Sequence, residues 1–410
     1  MGNSSLNSSA NSNNGIDFNL PTVMPTTSNE SLTQKTSYSS ISDKPKKLNR
    51  HSTGEDVLRK YSNTLNAENG SIPVDGLIGK VCVVTGGNSG LGFETIRVLL
   101  LGGVKRVYLC CRNTDLATTT LETSKILFAE KVIVLELNLL SLPSIKACAD
   151  EILRREMNSN IDILVCNAGI MAPPKLIRNE YGWESQMATN HMGHFYFTNL
   201  LLPKMKAQLT RSRIVVVASM YHVSAKLYIS DMHFNRPNNT YSPWKAYANS
   251  KLANVLFVKA LATRLEDTQV TAVALHPGIV STGLFRHVLP EKGLRPLIFK
   301  QLVADKTVPQ GAATTIFACA APEVSRMSGC YLDNCAKAND MLSFEGKDAD
   351  CSRREDLWRE TKHQVQQAVL QLALQQLSAL PSPKPASPCT LTFQACPTHY
   401  SDEEDDEDCD

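Results

Sequence analysis

The strongest constraint on how this chain can fold is a series of short β-branched runs separated by stretches of helical length: KVCVVTG from Lys80, RVYLCC, KVIVLEL, IDILVCN, RIVVVAS and QVTAVAL. Runs that are apolar without alternation belong to strands buried on both faces, and strands spaced a helix apart pair in parallel through crossovers. The pattern predicts a doubly wound α/β domain, a parallel sheet covered by helices. One intervening helix is legible in SKLANVLFVKALATRLED, where Leu252, Val255, Leu256, Lys259 and Ala262 form a stripe at spacings of three and four.

With 410 residues and 42% hydrophobic content the chain can bury a large core, and its composition places that core in one domain. Residues 1–74 are rich in Ser, Asn and Thr and are expected to be a disordered tail. The α/β domain is expected over 75–345, followed by a helical extension over 346–380. There, DLWRETKHQVQQAVLQLALQQLSAL puts Trp358, Val365, Val369 and Leu372 on one face. That helix has three placements open to it: on the core, against a second subunit in a homodimer, or on a membrane surface. Its Gln-rich, weakly basic polar face disfavours the third. Residues 381–410 contain PSPKPASP and end in SDEEDDEDCD, and are expected to be a disordered acidic tail.

The net charge of +2 conceals an asymmetry. Eight of the 40 acids lie in Ser401 to Asp410, which leaves 42 basic against 32 acidic residues elsewhere. The tail can fold back on a basic surface, meet a protein partner, or simply solubilise the chain. No nucleic-acid partner is expected. Twelve cysteines without a CxxC pair or a metal-ligand spacing point to a reducing compartment and to no metal site. The start lacks a basic segment followed by an apolar one, and no apolar run approaches the ~20 residues that span a bilayer. A cytoplasmic protein with at most peripheral membrane contact is expected.

Chemistry concentrates at the predicted strand ends. After the first strand, TGGNSGLG places Gly86, Asn88, Ser89, Gly90, Leu91 and Gly92 at a strand-to-helix turn. Glycines there let the backbone approach a pyrophosphate, met by free N–H groups and the helix dipole. CCRN puts Arg112 at the end of the second strand, where doubly wound domains read the adenosine ribose. An arginine there accommodates the 2′-phosphate of NADP, whereas an acid bonds the 2′-hydroxyl of NAD. Tyr247 and Lys251, four apart in YANSK, would share a helix face, where a nearby ammonium lowers a phenol's pKa; spacing alone fits better two residues that merely share a solvated face.

Together with CNAG, NHMGH, VVVAS and HPG, these stretches resemble the short-chain dehydrogenase/reductase family over roughly Gly79 to Asn334. VVTGGNSGLGFET, NHMGHFYFTNLL and QGAATTIFACAAPE are similar to its retinol-dehydrogenase-like branch, nearest to members that carry N-terminal WW modules. The first tryptophan here is Trp183, so no such module is expected. The resemblance implies a Rossmann fold, NADP(H) as cofactor, and a small lipophilic alcohol or carbonyl substrate of retinoid or steroid type.

It also implies a catalytic set of Asn190, Ser219, Tyr247 and Lys251. In that set Tyr247 is general acid/base, Ser219 holds the substrate oxygen, and Asn190 positions a water beside Lys251. Asn167, Ala168 and Gly169 would border the adenosine side, while Pro277, Gly278, Val280 and Thr282 would embrace the nicotinamide. Asn138 stands where the family commonly has an aspartate, so an altered adenine contact is expected. His194 and His276 are expected to be structural, and Ser219 has capping of the next segment as its alternative. The competing reading of the whole chain is a scaffold protein that acts through its tails.

Overall fold

The computed structural model describes residues 47–62, 70–280, 305–339 and 351–378. The expectations for 1–46, for Thr282 and for 381–410 lie outside the described residues. Eight strands form one sheet in the order β3-β2-β1-β4-β5-β6-β7-β8. They are β1 (Val81–Thr85), β2 (Arg106–Cys111), β3 (Val132–Glu136), β4 (Ile163–Cys166), β5 (Ser212–Val217), β6 (Val270–His276), β7 (Tyr331–Asp333) and β8 (Ala336–Lys337). Every pairing is parallel except β7 with β8. The first six strands coincide with the six apolar runs; β7 and β8 are too short to carry a periodic signal.

Alternation along β1 sorts its side chains between two cores. Val81 and Val83 face one and Cys82 and Val84 the other. The helices are α1 (Gly54–Tyr61), α2 (Gly90–Leu101), α3 (Thr114–Ser124), α4 (Leu142–Arg155), the single turn α5 (Ser185–Met187), α6 (Gly193–Ala207), α7 (Pro243–Arg264), α8 (Val308–Ala320) and α9 (Ser352–Ser378). Helices α1, α2 and α8 cover one face, and α4, α6, α7 and α9 the other. α7 is buried continuously from Ala246 to Leu261, so the predicted stripe is a helix enclosed on all sides.

The N-terminal expectation needs correction: within 1–74, α1 is an ordered helix. Its capping box joins the Asp56 N–H to Thr53 Oγ1 at 3.2 Å and the Thr53 N–H to Asp56 Oδ2 at 2.7 Å. Val57 and Leu58 are fully buried, and Ile72 and Val74 follow them into the core. A polar average over 74 residues hid one amphipathic turn, and burial of a valine or leucine is worth about 1.5–3 kcal/mol.

α9 takes the first of the three placements. Trp358 lies edge-on to Phe195 with centroids 4.9 Å apart and stacks on Phe257 at 5.9 Å, with the Arg264 guanidinium 4.1 Å from its ring centre. Arg264 also forms a fork with Glu355 at 2.9 and 2.6 Å. The expected face is corrected at Val369, which is 36% exposed, because the helix outruns the surface it packs on.

Leu58→Ala should lower the unfolding free energy by about 2–5 kcal/mol in urea titration, the usual loss for a buried leucine. An unchanged midpoint would mean that α1 does not dock.

Candidate active site

The sheet's order reverses between β1 and β4, and the loops at their C-terminal ends open a cleft of about 670 Å³. It is lined by Gly86 and by Asn88 to Gly92, by Arg112, by Asn138, and by Asn167 to Gly169. Ser219, Tyr247, Lys251, Pro277, Gly278 and Val280 complete the match with the sequence reading. The described site residue that stays outside is Asn190, buried behind the wall.

The glycine turn is dictated by space. Gly86 has φ +67°, a left-handed backbone costly for other residues, and a Cβ on Gly92 would fall 2.3 Å from the Gly86 carbonyl oxygen. At the N-cap of α2, Ser89 makes no side-chain capping bond, which leaves the first-turn amides for an anion. Arg112 is exposed at the cleft rim, with no hydrogen bond or ion pair to a described residue. Asn138 is half-buried, and its Oδ1 accepts from the Leu140 N–H at 3.1 Å. A backbone cradle, a helix N-terminus and a rim arginine fit a phosphorylated dinucleotide.

Behind this turn runs a buried hydrogen-bond cluster. Thr85 Oγ1 accepts from the N–H groups of Asn167 at 2.9 Å and Ala168 at 3.0 Å, and lies 2.8 Å from His194 Nε2. His194 Nδ1 lies 3.1 Å from the Asn190 carbonyl oxygen, which can only accept, so Nδ1 carries the proton. Burial brings the imidazole pKa down to about 4, so the ring is neutral and Nε2 accepts from Thr85. His194 is thus structural, as its sequence context suggested. His276 serves similarly, its Nδ1 3.4 Å from the Met220 N–H.

Asn190 sits in a π-helical turn, Ala188–Met192, a distortion frequent at functional sites. Its Nδ2 donates to the Ile170 carbonyl at 3.0 Å and to Ser250 Oγ at 2.9 Å, and its Oδ1 accepts from the Ile170 N–H at 2.9 Å. The Asn190 side-chain amide thus clamps the Ile170 backbone.

Ser219 ends the strand-like run after β5. Its hydroxyl accepts from the Tyr221 N–H at 3.3 Å, as the capping reading expects, and its side chain is the neighbour that acts to lower the Tyr247 phenol's pKa. Lys251 Nζ donates to the Val217 carbonyl at 2.8 Å and lies 5.8 Å from the centre of the Tyr247 ring. Burial governs both groups of the pair. Burial pushes the Tyr247 phenol up to about 12, the Ser219 hydrogen bond offsetting only part of this, and burial also brings Lys251 down to about 8. At that separation the ammonium does not outweigh desolvation.

Among the lining residues that escaped the sequence reading are Met171, Tyr221 and Trp244. Trp244 precedes Tyr247 by one helical turn, and Tyr221 follows Ser219 by two residues. Proximity to the catalytic pair was the available signal.

An α/β sheet with a glycine turn after its first strand, and a serine, tyrosine and lysine gathered in the same cleft, defines a dinucleotide-dependent oxidoreductase. The short chain dehydrogenase model matches residues 80–230. Human retinol dehydrogenase 14 is 40% identical over 300 residues, 68% of this chain and 84% of its own length. Short-chain dehydrogenase TIC 32 B, chloroplastic, of Brassica napus is 37% identical over 62% of this chain and 79% of its own. A solved structure of an uncharacterised protein from Mycobacterium paratuberculosis superposes with a TM-score of 0.54 at 31% identity, covering 71% of this chain and 94% of that one. The chain belongs to the short-chain dehydrogenase/reductase family.

A lysine whose pKa falls from 10.5 to about 8 on folding destabilises the folded chain by roughly 3 kcal/mol wherever it stays charged. Between those values the unfolded chain holds a proton that the folded one has lost, so this penalty shrinks as pH rises. Lys251→Met should therefore raise the melting temperature at pH 7, with the gain fading between about pH 8 and 10.5. Melting scans across that range check it; a gain independent of pH would mean the ammonium is not desolvated.

Proposed function

We propose that this chain is an NADP(H)-dependent oxidoreductase that moves a hydride between the nicotinamide and a small lipophilic alcohol or carbonyl, with Tyr247 as the general acid/base. The observation that carries the reading is the convergence of Ser219, Tyr247 and Lys251 in the cleft that begins at the glycine turn. The bound cofactor supplies or accepts the hydride. The chain's residues do the rest.

The Ser219 hydroxyl and the Tyr247 phenol, which line the same cleft, both reach a substrate oxygen and stabilise charge as it develops there. Tyr247 gives its proton to that oxygen in reduction and takes it back in oxidation. Lys251 keeps a positive charge near the phenol at neutral pH and so favours the phenolate once the proton has left. Asn190 acts at one remove, as a positioning residue that fixes Ile170 at the cleft wall.

The names of the relatives support a lipophilic alcohol as substrate, and the buried Met171 beside Tyr247 agrees with it. Arg112 supports NADP(H) over NAD(H), because a guanidinium pairs with a 2′-phosphate through charge-assisted hydrogen bonds. A scaffold has no need of a buried lysine beside a buried tyrosine, and no described feature favours that reading.

Tyr247→Phe should reduce kcat by about 10²–10⁴-fold, the range of general acid/base catalysis, while NADPH affinity stays within a few-fold. Near-normal turnover would remove Tyr247 from the role. Arg112→Ala should weaken NADPH binding by about 1.5–3 kcal/mol and NADH far less, read by fluorescence titration with both cofactors. Equal losses would detach Arg112 from cofactor choice.

A further inference from the structure

Three aromatic rings run outward from the candidate reacting group. Tyr221 meets the Tyr247 ring edge to face with centroids 6.0 Å apart, and Trp244 stacks on Tyr221 at 5.2 Å with an interplanar angle of 19°. All three line the cleft, yet Tyr221 and Trp244 remain 42% and 38% exposed. Large aromatic faces left open beside a buried phenol are surface that a ligand would cover with gain.

Their positions are rigid. Tyr221 stands on a 3₁₀ turn, Met220–Ser224, whose first N-terminal neighbour is Ser219, and Trp244 lies one turn ahead of Tyr247 on α7. At the same cleft, Met171 is buried in contact with Tyr247. The next residue, Ala172, takes the left-handed value φ +50° and donates its N–H to Gln186 Oε1 at 2.8 Å. A non-glycine residue held there by a buried side chain is strain retained at a site, and it fixes a polarisable, adaptable side chain beside the phenol.

We infer that Tyr221 and Trp244 form a stacking platform that selects planar, conjugated or fused-ring apolar substrates over flexible alkyl ones of equal size. The inference rests on the oxidoreductase reading above and deepens it. A planar body covers the stacked rings with complementary quadrupoles and little loss of internal freedom. A flexible chain of the same carbon count loses rotamer freedom on binding and has no π-face to offer.

The test pairs turnover with binding in the full-length protein. With NADPH, Trp244→Ala should lower kcat/KM for 2-naphthaldehyde by about ten-fold or more, chiefly through KM, and for a straight-chain aldehyde of equal carbon count by less than about three-fold. Tyr221→Leu should reproduce this selectivity and Tyr221→Phe should not, while NADPH affinity stays unchanged in all three. Equal losses on both aldehydes, or none, would overturn the platform.

Binding is read separately with 2-naphthonitrile, planar and lacking a carbonyl to reduce. The chain has three tryptophans; Trp183 is buried and Trp358 is packed between Phe195 and Phe257. Quenching of tryptophan emission in the wild type that disappears in Trp244→Phe supports the platform even if no carbonyl is turned over, in which case the oxidoreductase reading alone falls. Turnover of both aldehydes without such quenching leaves that reading standing and removes the platform.

Discussion

The site depends on one buried hydroxyl. Thr85, the last residue of β1, satisfies two amides of the turn after β4 and donates to His194 at the start of α6. It thereby joins three elements at the point where the sheet reverses direction. Removing the oxygen would strand two partly buried N–H groups and an imidazole nitrogen, each an unmet bond costing about 1–3 kcal/mol. Asn167 adds a second tie, its Nδ2 donating to the Thr85 carbonyl at 2.9 Å. The glycine turn is therefore held from behind by polar contacts rather than by packing alone, which lets its front remain open.

The same cluster explains how a distorted turn is tolerated in a buried helix. The π-helical segment Ala188–Met192 turns Asn190 toward Ile170, and its side chain makes three hydrogen bonds that recover what the irregular backbone gives up. Next to it, His191 Nε2 lies 3.0 Å from Thr361 Oγ1 on α9, and His233 Nε2 lies 2.7 Å from Gln364 Oε1. The C-terminal helix thus reaches the wall behind the cleft through buried polar pairs as well as through Trp358. Packing far along the chain and geometry at the site are mechanically continuous.

Much of this was legible in the amino-acid sequence because it follows from local chemistry. The six apolar runs became β1 to β6, five of them buried strands that must be apolar throughout and β3 a half-buried edge strand. The glycine turn was legible because no other residue fits at Gly86 and Gly92. What stayed hidden depends on distant partners. α1 was invisible because eight residues vanish in a polar average, and its two core residues meet α2 and α8 only in the folded chain. The Tyr247 and Lys251 spacing was read correctly as a shared helix face. The desolvation of the pair was not legible, because helical spacing gives proximity and says nothing of how deeply α7 is enclosed. Asn190 shows the same limit: the residue was found, but the partner of its amide is set by the tertiary fold.

Burial of that pair has a consequence for the chemistry. With the phenol near 12 and the amine near 8, the protein groups alone hold Tyr247 as a neutral acid across the physiological range while Lys251 remains largely protonated at pH 7. A neutral phenol is the form that can donate a proton. Abstraction from an alcohol requires the opposite state, and the Ser219 hydrogen bond is the protein interaction that lowers the phenol's pKa. Burial alone therefore favours the neutral form of each group. Any charge that enters the cleft with its ligands acts at low dielectric, where it shifts such a pair more strongly than it would in water.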